Sequence, residues 1–386
     1  MNRFLICALA LTLGAIPASA QSLEDLNIQI HGYAAQGFMY STNNNWNTTA
    51  STDGSPAWTE AVVNVTAQPT PKLRVGVQGR YFLLGNYGNA ISLDWASGDY
   101  KFNEKLGVRF GKVKTPEGLF NMNQDIDPSY IWSLLPQGIY PAATRTSILA
   151  HNGAVVYGTI RLPAKVGSVD YRAWDGERII ASNDPLLYAF TSKGILFPSG
   201  MSGNIYGGTL QWHTPIKGLM VGASETSNNQ TGATTLAALT GSGGAKAFQI
   251  PFFFGQYEHG RLTINYEHMR LPPSYTFVYT PGPTIGPISL DFRSWYGMGT
   301  YKISNKLTAG AYFSSCFNLK DPLGPDRFQK DWTVSGRYDV NQFVYLKAEQ
   351  HFVDGTGGIA NAYNASDNTN IQRKSNISIL KVGVSF

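Results

Sequence analysis

From about residue 26 onward the chain repeats one short pattern: segments of roughly ten residues in which apolar and polar side chains alternate, separated by turn-forming residues. Successive side chains of an extended strand point to opposite faces, so this pattern gives each segment one greasy face and one wet face. Leu73 to Leu84 shows it best, with Leu73, Val75, Val77, Tyr81 and Leu83 on one face and Arg74, Gln78 and Arg80 on the other. In Leu106 to Lys112, Leu106, Val108 and Phe110 oppose Arg109. In Phe343 to Val353, Val344, Leu346, Ala348 and Phe352 oppose Lys347, Glu349 and His351. A chain written this way must place half of its strand residues against something apolar and half against water.

The first twenty residues stand apart and read as a secretory signal. Arg3 supplies the positive start, Phe4 to Leu13 the apolar core, Gly14 and Pro17 the break, and Ala18-Ser19-Ala20 the small-residue cleavage pattern. The mature chain is expected to begin at Gln21. Cys7 leaves with the signal, and Cys316 alone can form no internal disulfide or cysteine metal cage. With Arg3 gone, the 30 Lys and Arg become 29 against 25 Asp and Glu, a net of +4, too small an excess to argue for nucleic acid.

Charged residues are 14% of the chain, against about 25% in an average soluble protein, while aromatics reach 13%. No apolar run of about 18 residues follows the signal, which excludes a spanning helix. Backbone amides in hydrocarbon must all be paired, and a closed sheet is the only alternative to helices that does this. The expected fold is therefore all-β: a transmembrane antiparallel up-and-down β-barrel over residues 21–386.

Short connections set the strand count. Seven tight turns are expected at 68–72, 102–105, 163–167, 214–218, 258–261, 304–306 and 339–342. They alternate with eight longer stretches at 41–57, 85–89, 115–152, 178–203, 228–246, 272–288, 318–330 and 354–374, rich in Gly, Pro, Asn and Ser. That alternation requires about 16 strands, with both termini on the short-turn side. The strand near 247–257, with Phe252-Phe253-Phe254 in a row, fits the alternation least well. Tyr40, Trp58, Trp95, Tyr100, Trp212, Tyr266, Trp295 and Phe343 fall near strand ends, as two interfacial aromatic girdles would.

With these features the chain resembles the trimeric, general-diffusion porins of Gram-negative bacteria. The most specific element is the ending Ile379-Leu380-Lys381-Val382-Gly383-Val384-Ser385-Phe386, an alternating strand closing on a terminal Phe. The second is the long third loop, Thr115 to Asn152. The resemblance implies an outer-membrane location among lipid and lipopolysaccharide, a homotrimer, and a third loop folded into the lumen to narrow the pore.

A barrel this wide keeps an aqueous lumen, so its solutes are small and hydrophilic and are selected by bore and charge. The reading frame turns Arg74, Arg80, Arg109, Arg161, Arg172, Arg293, Arg337 and Lys347 inward, with Glu117, Asp125 and Asp127 facing them from the third loop. The constriction is expected around Arg74, Arg80, Arg109, Glu117, Asp125 and Asp127. Guanidinium groups in a confined passage concentrate anions, which gives a passive channel a mild anion preference. Pro116 removes a ladder amide and turns the chain out of the strand.

A substrate-specific anion channel, for phosphate for example, is the alternative. An outer-membrane enzyme such as a phospholipase is the reading from another class, and no G-x-S-x-G, H-E-x-x-H or phosphate-binding glycine loop supports it. Glu258-His259 and Glu267-His268 point to opposite faces of their strands, the histidines are scattered, and Asp321, Asp326 and Asp331 of the seventh loop read as solvated charge. No cofactor and no metal are expected.

Overall fold

The computed structural model describes residues 26–357 and 371–386, apart from residues 49, 86 and 164. The expected signal segment and the Gln21 start lie outside the described residues, as does much of the last long loop. Sixteen strands form one closed antiparallel barrel. They are β1 (Gln29–Ser41), β2 (Ser55–Thr70), β3 (Leu73–Leu84), β4 (Tyr87–Asn103), β5 (Leu106–Lys114), β6 (Ala150–Arg161), β7 (Ser168–Ile180) and β8 (Met201–His213). They continue as β9 (Leu219–Leu236), β10 (Leu239–His259), β11 (Leu262–Leu271), β12 (Phe292–Lys302), β13 (Leu307–Asn318), β14 (Phe328–Asp339), β15 (Val344–Asp354) and β16 (Lys374–Ser385). Each strand pairs with its chain neighbours, and β1 pairs with β16 from Tyr33 opposite Ser385 to Ser41 opposite Ile377. That last ladder joins the first strand to the last, so no strand is left as an edge of the sheet.

Alternation has the sense of a protein turned inside out. Val75, Val77, Leu346, Phe352, Leu380, Val382 and Val384 are exposed on the outer face, while Gln78, Arg80, Lys347, Glu349, His351 and Lys381 are buried on the inner one. Exposed aliphatics in contiguous bands with buried charges behind them suit a hydrocarbon surround. Short connections lie at one end, where Gly167 and Gly218 take φ of +93° and +83°, values that side chains rarely adopt.

Four expectations are corrected here. The stretch 228–246 is not a loop, because β9 and β10 pair through it from Thr231 opposite Gly244 to Leu236 opposite Leu239 and close on Ala237-Ala238. Its Gly and Thr content imitates a loop, yet the glycines accept neighbours: a Cβ on Gly243 would collide with the Phe277 ring. That ring belongs to a hairpin, Ser274–Tyr279 with Thr284–Ser289, that extends the β10 edge beyond the wall. The awkward Phe run lies within β10, with Phe252 and Phe254 buried inward and Phe253 exposed outward.

Arg293 faces outward, since Ser294, Tyr296 and Met298 are the buried residues of β12 and alternation leaves Arg293 with Trp295. It pairs with Asp291 at 3.3 Å. Its charge suggested the lumen; the strand's phase decides otherwise. Trp58 is the reverse case, an aromatic assigned to a girdle that the phase of β2 turns inward beside Glu60 and Val62, all three buried. Asp331 sits on β14, not in the seventh loop, where it accepts a 2.8 Å bond from His351 Nδ1.

Candidate functional site

Chain leaving β5 at Lys114 turns through Pro116 and Gly118 (φ +65°) and returns at Ala150. Between these points Thr115–Leu149 forms only single turns of helix, so its orphan backbone groups need partners elsewhere. They find them on inward-facing side chains around the barrel. Glu267 of β11 accepts bonds from the Leu119 amide at 2.8 Å and the Tyr140 hydroxyl at 2.8 Å, and Tyr296 adds a third at 2.8 Å. Glu349 of β15 accepts from the Ser133 and Leu134 amides at 2.8 and 3.0 Å. Lys347 donates to the Asp127 and Trp132 carbonyls at 2.8 and 2.9 Å, and Ser335 to that of Ile131 at 3.1 Å. Apolar side chains of the segment, among them Trp132, Leu135, Ile139 and Tyr140, pack with Met269, Tyr296 and Tyr312 of the wall.

Its three predicted carboxylates are each clamped by cations. Asp127 accepts from Lys381 at 2.6 Å and Tyr345 at 2.7 Å, with Lys347 at 3.1 Å. Burial alone would raise its pKa; the two ammonium groups outweigh burial and hold the carboxyl well below the usual range. Asp125 accepts from Lys114 at 2.7 Å and Gln78 at 2.8 Å. Glu117 is held by Arg178 at 3.2 Å and Thr226 at 2.6 Å. On the facing wall, Arg80 bonds Glu60 at 2.9 Å, and Arg145 of the loop reaches Asp94 at 2.8 Å and Glu60 at 3.4 Å.

Arg80, Glu117, Asp125 and Asp127 are thus brought into contact with the loop or its partners. Arg74, Arg109, Arg161 and Arg172 are not. They lie on the inner face toward the short-turn end and bond locally: Arg74 to Thr66, Arg109 to Asp99 at 2.7 Å, Arg161 to Glu104 at 2.9 Å, and Arg172 to Gln211 at 2.8 Å. Arg337 donates to the Pro128 carbonyl beneath the loop. Glu60, Asp94, Lys114, Arg145, Arg178 and Lys381 belong to the site without having been singled out, and Glu267, set aside beside His268, joins them. Lys381 was readable from alternation, lying between the outward Leu380 and Val382; Glu60 was not, because it shares its face with the apolar Trp58 and Val62, and Arg145 sits in a segment with no period to read.

Two cavities meet at this cluster. A narrow one of about 40 Å³ lies among Trp58, Arg80, Arg145, Lys381, Glu60 and Asp127. A wider one of about 300 Å³, toward the long-loop end, is walled by Trp46, Tyr87, Leu271, Phe292, Phe328 and Ile377. Leu134 and Gln137 line both.

Solved structures of the same architecture cover nearly the whole chain. Salmonella typhi OmpF in complex with daunomycin matches with a TM-score of 0.56 at 12% identity, over 95% of this chain and 99% of that one. Its fold is that of the Gram-negative outer-membrane porins. An anion-selective porin from Comamonas acidovorans matches with a TM-score of 0.53 at 12% identity, over 93% and 99% of the two chains. The trimer form of in-vitro folded OmpT, an outer membrane protein of Vibrio cholerae, gives 0.53 at 14% identity over 93% and 99%. At these identities the porin fold is what is shared. No family model matches the chain, and no curated protein does.

Proposed function

We propose that this protein is an outer-membrane channel through which small hydrophilic solutes and ions diffuse passively, with a mild preference for anions. The observation that carries the reading is the sorting of charge: exposed aliphatic bands outside, and inside a wall whose buried charged side chains bond to the backbone of Thr115–Leu149. That segment is proposed to cross the lumen and narrow it. At the narrow cavity and among the ion-pair partners of its lining, four cations, Arg80, Arg145, Lys347 and Lys381, stand against three carboxylates, Glu60, Asp94 and Asp127. A one-charge excess among low-dielectric walls favours anions only modestly. The trimer form of the Vibrio cholerae protein supports assembly as a homotrimer, with lipid and lipopolysaccharide around it.

Purified protein in planar bilayers tests this. Stepwise conductance is expected in potassium chloride, with a reversal potential of anion sign under a salt gradient. Insertion without conductance would end the channel reading, and a cation-sign reversal would end the anion part. Residues 1–20 are taken to be an export signal, so the mass of the mature protein should correspond to a chain starting at Gln21.

A further inference from the structure

The narrow cavity beside Arg80 is lined by three residues that each hold a buried donor without a partner. Trp58 Nε1, Arg145 Nε and Ser133 Oγ are buried without a hydrogen-bond partner among the described residues, and all three residues line this one cavity. Two of the three atoms can only donate, and the third can donate. Leaving a buried donor unpaired is costly, so a cluster of them around a polar cavity marks a place for an acceptor. The surrounding charge agrees, because Arg80, Arg145, Lys347 and Lys381 exceed Glu60, Asp94 and Asp127 by one.

We infer that this cavity is a recognition subsite for one carboxylate of a small organic acid, whose apolar or aromatic body rests in the wider cavity above it. The inference rests on the channel reading and names the solute class that the channel selects. About 40 Å³ has room for roughly three water-sized groups, which suits a carboxylate and not a sugar ring. The adjoining 300 Å³, which Arg327, Asp331 and His351 also line, accepts a body the size of a benzene ring and offers it the apolar and aromatic surface of Trp46, Tyr87, Leu271, Phe292, Phe328 and Ile377. Leu134 and Gln137, common to both cavities, place the join where the carboxylate meets its body.

Benzoate is the test solute, with benzamide as its neutral counterpart and phosphate as an anion without an apolar body. Single-channel current in potassium chloride should be blocked saturably by benzoate, at far lower concentration than by benzamide or phosphate. Trp58→Phe keeps the ring and removes the N–H, and should raise the half-blocking concentration about tenfold, the loss of one hydrogen bond to a charged group. Should that variant fail to insert, Ser133→Ala carries the same test with a change in the same direction. Equal block by benzamide would reduce the site to an apolar vestibule, and equal block by phosphate would reduce it to a general anion site; either overturns the inference. So would half-blocking concentrations unchanged in both variants. A channel that conducts but ignores benzoate defeats this inference alone, whereas one that never conducts defeats the channel reading beneath it.

Discussion

Asp127 concentrates the physics of the interior in one side chain. It is buried, yet it stays ionised because Lys347, Lys381 and Tyr345 all bond to it. Such a group stabilises little by itself, since desolvation consumes most of the attraction, but removing it strands two ammonium groups. Asp127→Asn is therefore expected to lower the unfolding free energy by about 3–5 kcal/mol and to enlarge conductance as Thr115–Leu149 loosens, both measurable on refolded protein. The pH dependence follows from the depressed pKa. A carboxylate whose folded pKa lies below its unfolded value contributes stability that is full above the unfolded value and fades as pH falls through the folded one. The stability gap between wild type and Asp127→Asn should thus hold from pH 8 to about pH 4 and narrow only below that, the ordinary carboxylate value being about 3.9. A gap that closes near neutral pH would contradict the ion-pair account.

At the scale of elements, strands were legible and the loop's contacts were not, for one physical reason. Every strand has two solvents, and Leu380, Val382 and Val384 outside against Lys381 inside record that difference at alternate positions. Leu380→Arg should accordingly cost about 2–4 kcal/mol in a lipid refolding titration, although the native residue beside it is already a lysine. Where charge was allowed to override phase, as at Arg293, or aromatic character, as at Trp58, the assignment failed. Thr115–Leu149 has no period, so nothing local announces that Arg145 reaches Asp94 or that Leu119 reaches Glu267. Those pairings depend on how a non-repeating segment folds back, which only the tertiary structure supplies. The same limit hid the extended β9–β10 hairpin, whose Gly243 makes room for the Phe277 ring and does not mark a loop.

For the whole molecule the decisive quantity is the small remainder left after its inner charges pair. Arg80 with Glu60, Arg145 with Asp94, Arg178 with Glu117, Lys114 with Asp125 and Arg109 with Asp99 neutralise one another at hydrogen-bond distance, so selectivity cannot scale with the number of arginines. It should depend instead on the excess at the narrow cavity and its ion-pair partners, where Arg80, Arg145, Lys347 and Lys381 face Glu60, Asp94 and Asp127 and one charge is the margin. An anion-to-cation permeability ratio modestly above one is expected at 0.1 M salt, falling toward one at 1 M as the screening length contracts from about 10 to 3 Å. Lys381→Met removes that margin and should bring the 0.1 M ratio close to one, while Glu60→Gln doubles the margin and should raise it. Reversal potentials under matched gradients measure both. If Lys381→Met and Glu60→Gln shift the ratio in the same direction, charge at this cavity does not set the selectivity, and the balance must be struck among the arginines nearer the short-turn mouth.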